Sequence, residues 1–214
     1  MNINNLYDFK NKLPFIDLYT HDLGIDSSSD YMNQESINLQ AHLGAALAGF
    51  LVLKKDGCFI AKQYTYFKDL SINLIIIYAS MFNNFYLCKP LTSRPRNSEI
   101  YLIGIGFIGM SKKIENILSN KLKNFDLEPL FDINDISNDI IEPLKKFANK
   151  VFGEQIKYLK EFKNLYNKSY YNNLTTKLSF YKKLNEIKNI ESNKWIKNNK
   201  IIKILSSDYI SSIS

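Results

Sequence analysis

The 214-residue sequence has little of what several functional classes require. It holds two cysteines, Cys58 and Cys88, each among apolar neighbours. That is no disulfide framework, and they read as buried, reduced thiols. Its two histidines, His21 and His42, have no Cys or His partner at ligand spacing, which argues against a zinc site. No apolar run reaches the length of a membrane span. The opening MNINNLYDFKNK is polar and lacks the apolar stretch of a signal peptide. The expectation is a soluble chain with no membrane partner, working in the cytoplasm.

Glycine is scarce and unevenly placed: of eight, only Gly153 follows residue 110. This bears on EIYLIGIGFIGMSKKIENIL (99–118), which contains Gly104-x-Gly106-x-x-Gly109, a dinucleotide-binding fingerprint on paper. Such a loop needs a following βαβ unit whose second strand ends in an acid. Here a lysine-rich helical pattern follows instead. The three glycines therefore read as part of a strand. HLGAALAGF (42–50) is a second imitation of a cofactor loop. It is continuous with an Ala/Leu helix and has no strand before it, so its small residues read as close helix–sheet packing.

Basic charge is abundant, and it is concentrated. Residues 1–110 are neutral on balance, whereas 145–203 carry fifteen Lys against four Glu. A basic segment beside a neutral domain suits a polyanion such as RNA. A solvated lysine-rich helical face is the alternative. The change in composition suggests two domains, 1–110 and 111–214.

Hydrophobic periodicity outlines the first half as β-α-β-α-β-loop-β. Strands are expected at 15–24, 58–66, 86–90 and 99–109, and helices at 34–55 and 69–85. Asp56-Gly57 is the expected stop of the first helix, and Asp69 neighbours the N-cap of the second. Helices between short apolar strands imply a mainly parallel sheet. The last two strands, joined only by a loop, imply a final antiparallel hairpin at or near an edge. Helices are expected at 111–125, along a long amphipathic stretch after an acidic loop, and around 174–190 and 193–205. Pro143 is expected in a first helical turn. The fold class is α/β with a helical C-terminal extension.

In a parallel sheet, functional residues gather at the carboxyl ends of strands. Asp22 ends the first expected strand. Lys62 lies inside CFIAKQY, and Glu99 opens the last strand. Topology brings the three to one rim. Burial lowers a lysine's pKa, and flanking carboxylates oppose this and hold it in place. A lysine so placed can orient or deprotonate a hydroxyl. Arg94 and Arg96 on the adjoining loop could grip phosphates. A salt-bridged network at a sheet edge is the structural alternative.

HDLG, a helix, LKKDGCFIAKQY and then CKPLTSRPRNSEIYLIGIGF together resemble the second half of an FtsJ-like ribose 2′-O-methyltransferase. The family pattern is a strand ending in Asp, a helix, GG-x-F-x-x-K, a helix, and KP-x-x-SR-x-x-SE-x-Y. The match covers about residues 15–110 and departs from GG-x-F-x-x-K only at Asp56. The resemblance implies a partial Rossmann-like methyltransferase sheet, with the last strand antiparallel. It also implies methyl transfer from S-adenosylmethionine to a ribose hydroxyl of RNA, in an mRNA cap or in rRNA. Asp22, Lys62 and Glu99 would be catalytic, with Asp22 also beside the cofactor. Lys89, Arg94 and Arg96 would face RNA. The tail is similar to versions from large DNA viruses, which would place the protein in a viral factory or virion.

The family's first half carries the first catalytic lysine and the glycine-rich cofactor loop, and it has no counterpart here. The expectation is an enzyme incomplete by itself, completed by a second chain or by a longer reading frame that supplies the missing half of the sheet. A non-catalytic RNA-binding or scaffold subunit derived from such an enzyme is the alternative.

Overall fold

A computed structural model describes residues 3–13, 15–90, 93–170 and 174–198. Four strands form one sheet in the order β1-β2-β4-β3. β1 is Ile16–His21, β2 Leu53–Gln63, β3 Phe82–Cys88 and β4 Ile100–Phe107. β1 and β2 pair in parallel, and β4 runs antiparallel to both β2 and β3. Three strands thus share one direction. The β3–β4 hairpin lies at an edge as expected, but β4 folds back between β2 and β3.

Helix α2 (Gln34–Val52) and helix α3 (Asp69–Ala79) cover one face of the sheet, with Tyr78 of α3 beside Phe50 of α2. Helix α4 (Lys112–Lys123) packs on α2, as does α1 (Ile3–Lys12). Phe50 meets Phe59, Phe82 and Phe107 at the centre, and Phe82 also meets Phe59 and Phe107, with these ring centroids 4.9–6.1 Å apart. At Gly49 a side chain would run into the Tyr19 ring, with a Cβ only 2.5 Å from it. The small residues of HLGAALAGF therefore bring helix and sheet close.

The glycines of 99–118 lie in and just after β4, and none forms a phosphate loop. Gly106 is left-handed, with φ of 72°. This breaks the strand's alternation, so that Gly104 and Phe107, three apart, are both buried.

Several boundaries moved. α2 ends at Val52, and Asp56-Gly57 lies within β2, where Asp56 adopts a left-handed φ of 64°. The register against β1 slips at this point: Ile16 faces Leu53, while Leu18 faces Cys58. α3 stops at Ala79, and FNNFYLC is strand. In both cases a continuous apolar run fits either element, and pairing with a neighbouring strand decides the matter. Helix α1 was not expected, because its asparagines are weak helix formers. It is stabilised by packing of Leu6 and Tyr7 and by a 2.9 Å hydrogen bond from the Tyr7 hydroxyl to Glu115.

Two compact units divide the chain, one of residues 1–157 and one from Tyr158 onward. The first contains α4 and the start of α5 (Asn138–Tyr170), from which Leu144, Val151 and Phe152 enter the core. Pro143 is the sixth residue of α5, one turn further in than expected. In the second unit the described residues are the rest of α5 and helix α6 (Leu174–Asn198). The stretch expected to be helical at 193–205 is described only to Asn198.

Candidate active site

Alternation along β2 sorts its side chains into two sets. Phe59, Ala61 and Gln63 turn toward α2 and are buried. Cys58, Ile60 and Lys62 turn to the opposite face. Lys62 is opposite Tyr101 of β4, and the neighbouring strand β1 ends at His21, one residue before Asp22. Glu99 immediately precedes β4.

The three expected residues are together. Lys62 Nζ lies 2.8 Å from Asp22 Oδ1 and 3.6 Å from Glu99 Oε2, with a weaker 3.4 Å hydrogen bond to the Asp22 carbonyl. The Lys62 side chain is 12% exposed, whereas that of Asp22 is 70% exposed. Lys62 is thus held from below, and its acid partner remains open to a ligand.

Burial draws the Lys62 ammonium toward a lower pKa, but the hydrogen bond and charge of Asp22, with the charge of Glu99, outweigh it and leave the pKa raised. Lys62 is consequently cationic at neutral pH. Its hydrogen bond to Lys62 holds the Asp22 carboxyl below the usual carboxylate range.

Tyr101 joins the group. Its hydroxyl lies 3.0 Å from Asp22 Oδ1 and 3.3 Å from Glu99 Oε1, so its single proton bridges the two acids. Burial, then the hydrogen bond to Asp22, raise its pKa, so it stays a donor. The signal for Tyr101 was present in SE-x-Y: two residues after Glu99 along a strand is the same face.

On the helix side the site is braced by residues that composition did not suggest. Glu35, buried in α2, accepts hydrogen bonds from the Thr65 and Ser71 hydroxyls and from the backbone N–H groups of Phe67 and Lys68 (2.6–3.0 Å). It thereby ties α2 to the start of α3. His42 Nδ1 lies 2.8 Å from Gln63 Oε1, and its Nε2 lies 3.1 Å from the Leu23 carbonyl. His42 thus links β2 to the loop after Asp22. His21 is half-buried, with both ring nitrogens shielded from solvent and unpartnered, and burial foremost depresses its pKa to about 4.

Beside Lys62 a cleft of about 330 Å³ opens between Asp22, Tyr31, Gln34 and Tyr64. Arg94 and Arg96 are exposed on the neighbouring loop. The Lys89 ammonium faces inward, toward Asn97 and Glu99. Among the described residues no group of His, Cys, Asp and Glu could hold a metal, and no helix is long and apolar enough to cross a membrane.

A sequence profile for FtsJ-like methyltransferases matches residues 1–107. The chain belongs to the FtsJ-like methyltransferase family. It is 36% identical over 163 residues to the "Probable methyltransferase EP424R" of African swine fever virus (isolate Pig/Kenya/KEN-50/1950), a match covering 73% of this chain and 38% of that protein. It is 29% identical over 126 residues to the mouse cap-specific mRNA (nucleoside-2′-O-)-methyltransferase 2, covering 59% of this chain and 16% of that one. A Plasmodium falciparum chain solved as a ribosomal RNA methyltransferase superposes with a TM-score of 0.41 at 25% identity, over 51% of this chain and 59% of that one. The chain therefore spans little more than a third of the length of the viral relatives it matches.

Proposed function

We propose that this FtsJ-like chain carries the hydroxyl-activating part of an RNA ribose 2′-O-methyltransferase. The observation that supports this most is the Lys62 ammonium, 2.8 Å from Asp22 and 3.6 Å from Glu99 at one rim of the sheet. Lys62, as a cation, donates a hydrogen bond to the ribose oxygen and stabilises negative charge as the hydroxyl loses its proton. An ammonium cannot accept that proton, so Lys62 orients rather than deprotonates. The proton leaves to the exposed Asp22 carboxylate or to water. Glu99 and Tyr101 keep Lys62 and Asp22 in register. Arg94 and Arg96 supply phosphate contacts on the loop beside Glu99. The similarity to the mouse cap-specific mRNA methyltransferase favours mRNA as the substrate, and an intracellular location accords with it.

Among FtsJ-like enzymes the methyl donor is S-adenosylmethionine. Asp22 suits the methyl-bearing end of that cofactor. Among the described residues, however, no glycine-rich turn joins a strand to a helix to hold its nucleoside, since Gly104 and Gly106 lie within β4. These residues do not form the cofactor's cradle. The open face of the sheet supports a second chain as the source of the rest. Leu18 and Tyr86 there are 52% and 51% exposed, and the outer edge of β1 has no partner strand among the described residues.

The decisive experiment measures methyl incorporation into RNA from labelled S-adenosylmethionine by the enzyme together with its cofactor-binding part. Lys62→Ala is expected to lower the rate by at least ~100-fold without altering the melting temperature or RNA affinity. An unchanged rate rejects the proposal. The lysine-rich 145–203 segment favours a second reading, a non-catalytic RNA-binding or scaffold subunit. Steeply salt-dependent RNA binding without any methyl transfer would select it.

A further inference from the structure

The sequence pattern suggests that Lys89, directly before Pro90 at the mouth of the arginine loop, is a phosphate ligand. Its geometry assigns it another task. Lys89 Nζ donates to the Asn97 carbonyl at 2.9 Å, to Asn97 Oδ1 at 2.6 Å and to the Glu99 carbonyl at 2.8 Å. An ammonium has three N–H groups and no more. All three are spent inside the protein, and none remains for a phosphate.

The three acceptors lie on the far side of the loop that Lys89 begins. Asn97 Oδ1 also accepts from the Ser93 hydroxyl at 3.1 Å, and the Asn97 N–H donates to the Arg94 carbonyl at 3.1 Å. Ser98 is tied to Gln34 at 2.8 Å. Lys89 therefore closes the 89–99 loop like a buckle, and the last group it holds is the backbone of Glu99, whose carboxylate faces Lys62.

We propose that Lys89 is a positioning residue that fixes Glu99 against Lys62, and that it does not contact RNA. This rests on the Lys62–Glu99 pairing of the proposed site. The ammonium is suited to the task because its three donors spread tetrahedrally. A guanidinium keeps the charge but is planar and projects further, so it cannot reproduce the three bonds. Arginine would serve equally well for phosphate and poorly for this clamp.

The test follows the titration of Lys62 by NMR on protein with ¹³C-labelled lysine, without RNA or cofactor. In Lys89→Met and Lys89→Arg the Lys62 midpoint is expected to fall, in the same direction as in Glu99→Gln. Lys68→Met, a change elsewhere on the surface, should leave it in place. Asn97→Ala, which retains the Lys89 charge and removes one acceptor, gives a smaller fall and serves if the Lys89 variants fold poorly. Binding of a uridylate oligomer by Lys89→Met should keep the wild-type salt slope. An unmoved Lys62 midpoint in all three loop variants overturns the inference. So does a salt slope reduced by about one, which would make Lys89 a phosphate ligand. Because no methyl transfer is measured, a negative result here is distinct from a failure of the methyltransferase proposal.

Discussion

The two faces of the sheet use the same strands for different ends. On the helix side, Phe59 and Ala61 of β2 and Leu102 of β4 are sealed under α2 and α3. On the other side their immediate neighbours, Ile60, Lys62, Tyr101 and Ile103, are only partly covered, and Ile105 is 43% exposed. A two-residue period makes this division unavoidable, since each step along a strand changes face. Stability and chemistry can thus be altered almost independently, one residue apart. The apolar character of the uncovered face also sets it apart from an ordinary solvated surface. Leu18, Ile60, Ile103, Ile105 and Tyr86 make it an apolar as well as an open face.

The sharpest way to break this contrast is a pair of substitutions. Phe59→Ala should cost about 3–5 kcal/mol, read by urea denaturation, because four neighbouring rings lose their packing partner. Ile105→Ser on the open face should change stability by less than about 0.5 kcal/mol. A comparable loss at both positions would mean that the open face is already covered.

A smaller effect is expected from pH. His21 sits on the helix side, its ring beside those of Phe59 and His42, and its pKa is depressed to about 4, chiefly by burial. Between its ordinary value near 6.5 and about 4, the unfolded chain binds a proton that the folded chain refuses. Stability therefore falls as pH drops through this window, by about 2–3 kcal/mol in all. Denaturation at pH 7 and pH 4.5 measures the loss, and His21→Phe should reduce it. An equal loss in the variant would assign the effect to other groups.

The smallest effect concerns Asp56. Its left-handed backbone is the conformation that glycine adopts without cost, and the family pattern has glycine there. Asp56→Gly should stabilise the protein by a few tenths of a kcal/mol up to ~1, seen as a higher melting temperature. Destabilisation would show that the Asp56 side chain makes a contact of its own.

Much of the site was legible in the sequence. Asp22, Lys62 and Glu99 could be brought to one rim from strand direction alone, because in an α/β sheet the order of elements dictates which ends meet. Tyr101 was legible in principle, lying two residues from Glu99 on the same face. Lys89 was not: nothing in KPLTSRPRNSE says that its three donors turn back onto residues eight and ten positions later. Glu35 was equally hidden, since its partners Thr65 to Ser71 lie thirty to thirty-six positions away on another element. The ends of α2 and α3 were misplaced because apolar runs such as GFLVL and MFNNF suit a helix or a strand equally.

By itself, then, the sequence determined the alternation that splits each strand between core and site, the placing of an acid, a lysine and a second acid at adjoining strand ends, and the family to which those motifs belong. Only the tertiary structure decided where helices yield to strands, that β4 inserts between β2 and β3, and that Lys89 faces inward. The physical reason is range. Periodicity and strand-end placement follow from local backbone geometry, whereas strand partners and the saturation of an ammonium depend on groups that meet only after the chain has folded.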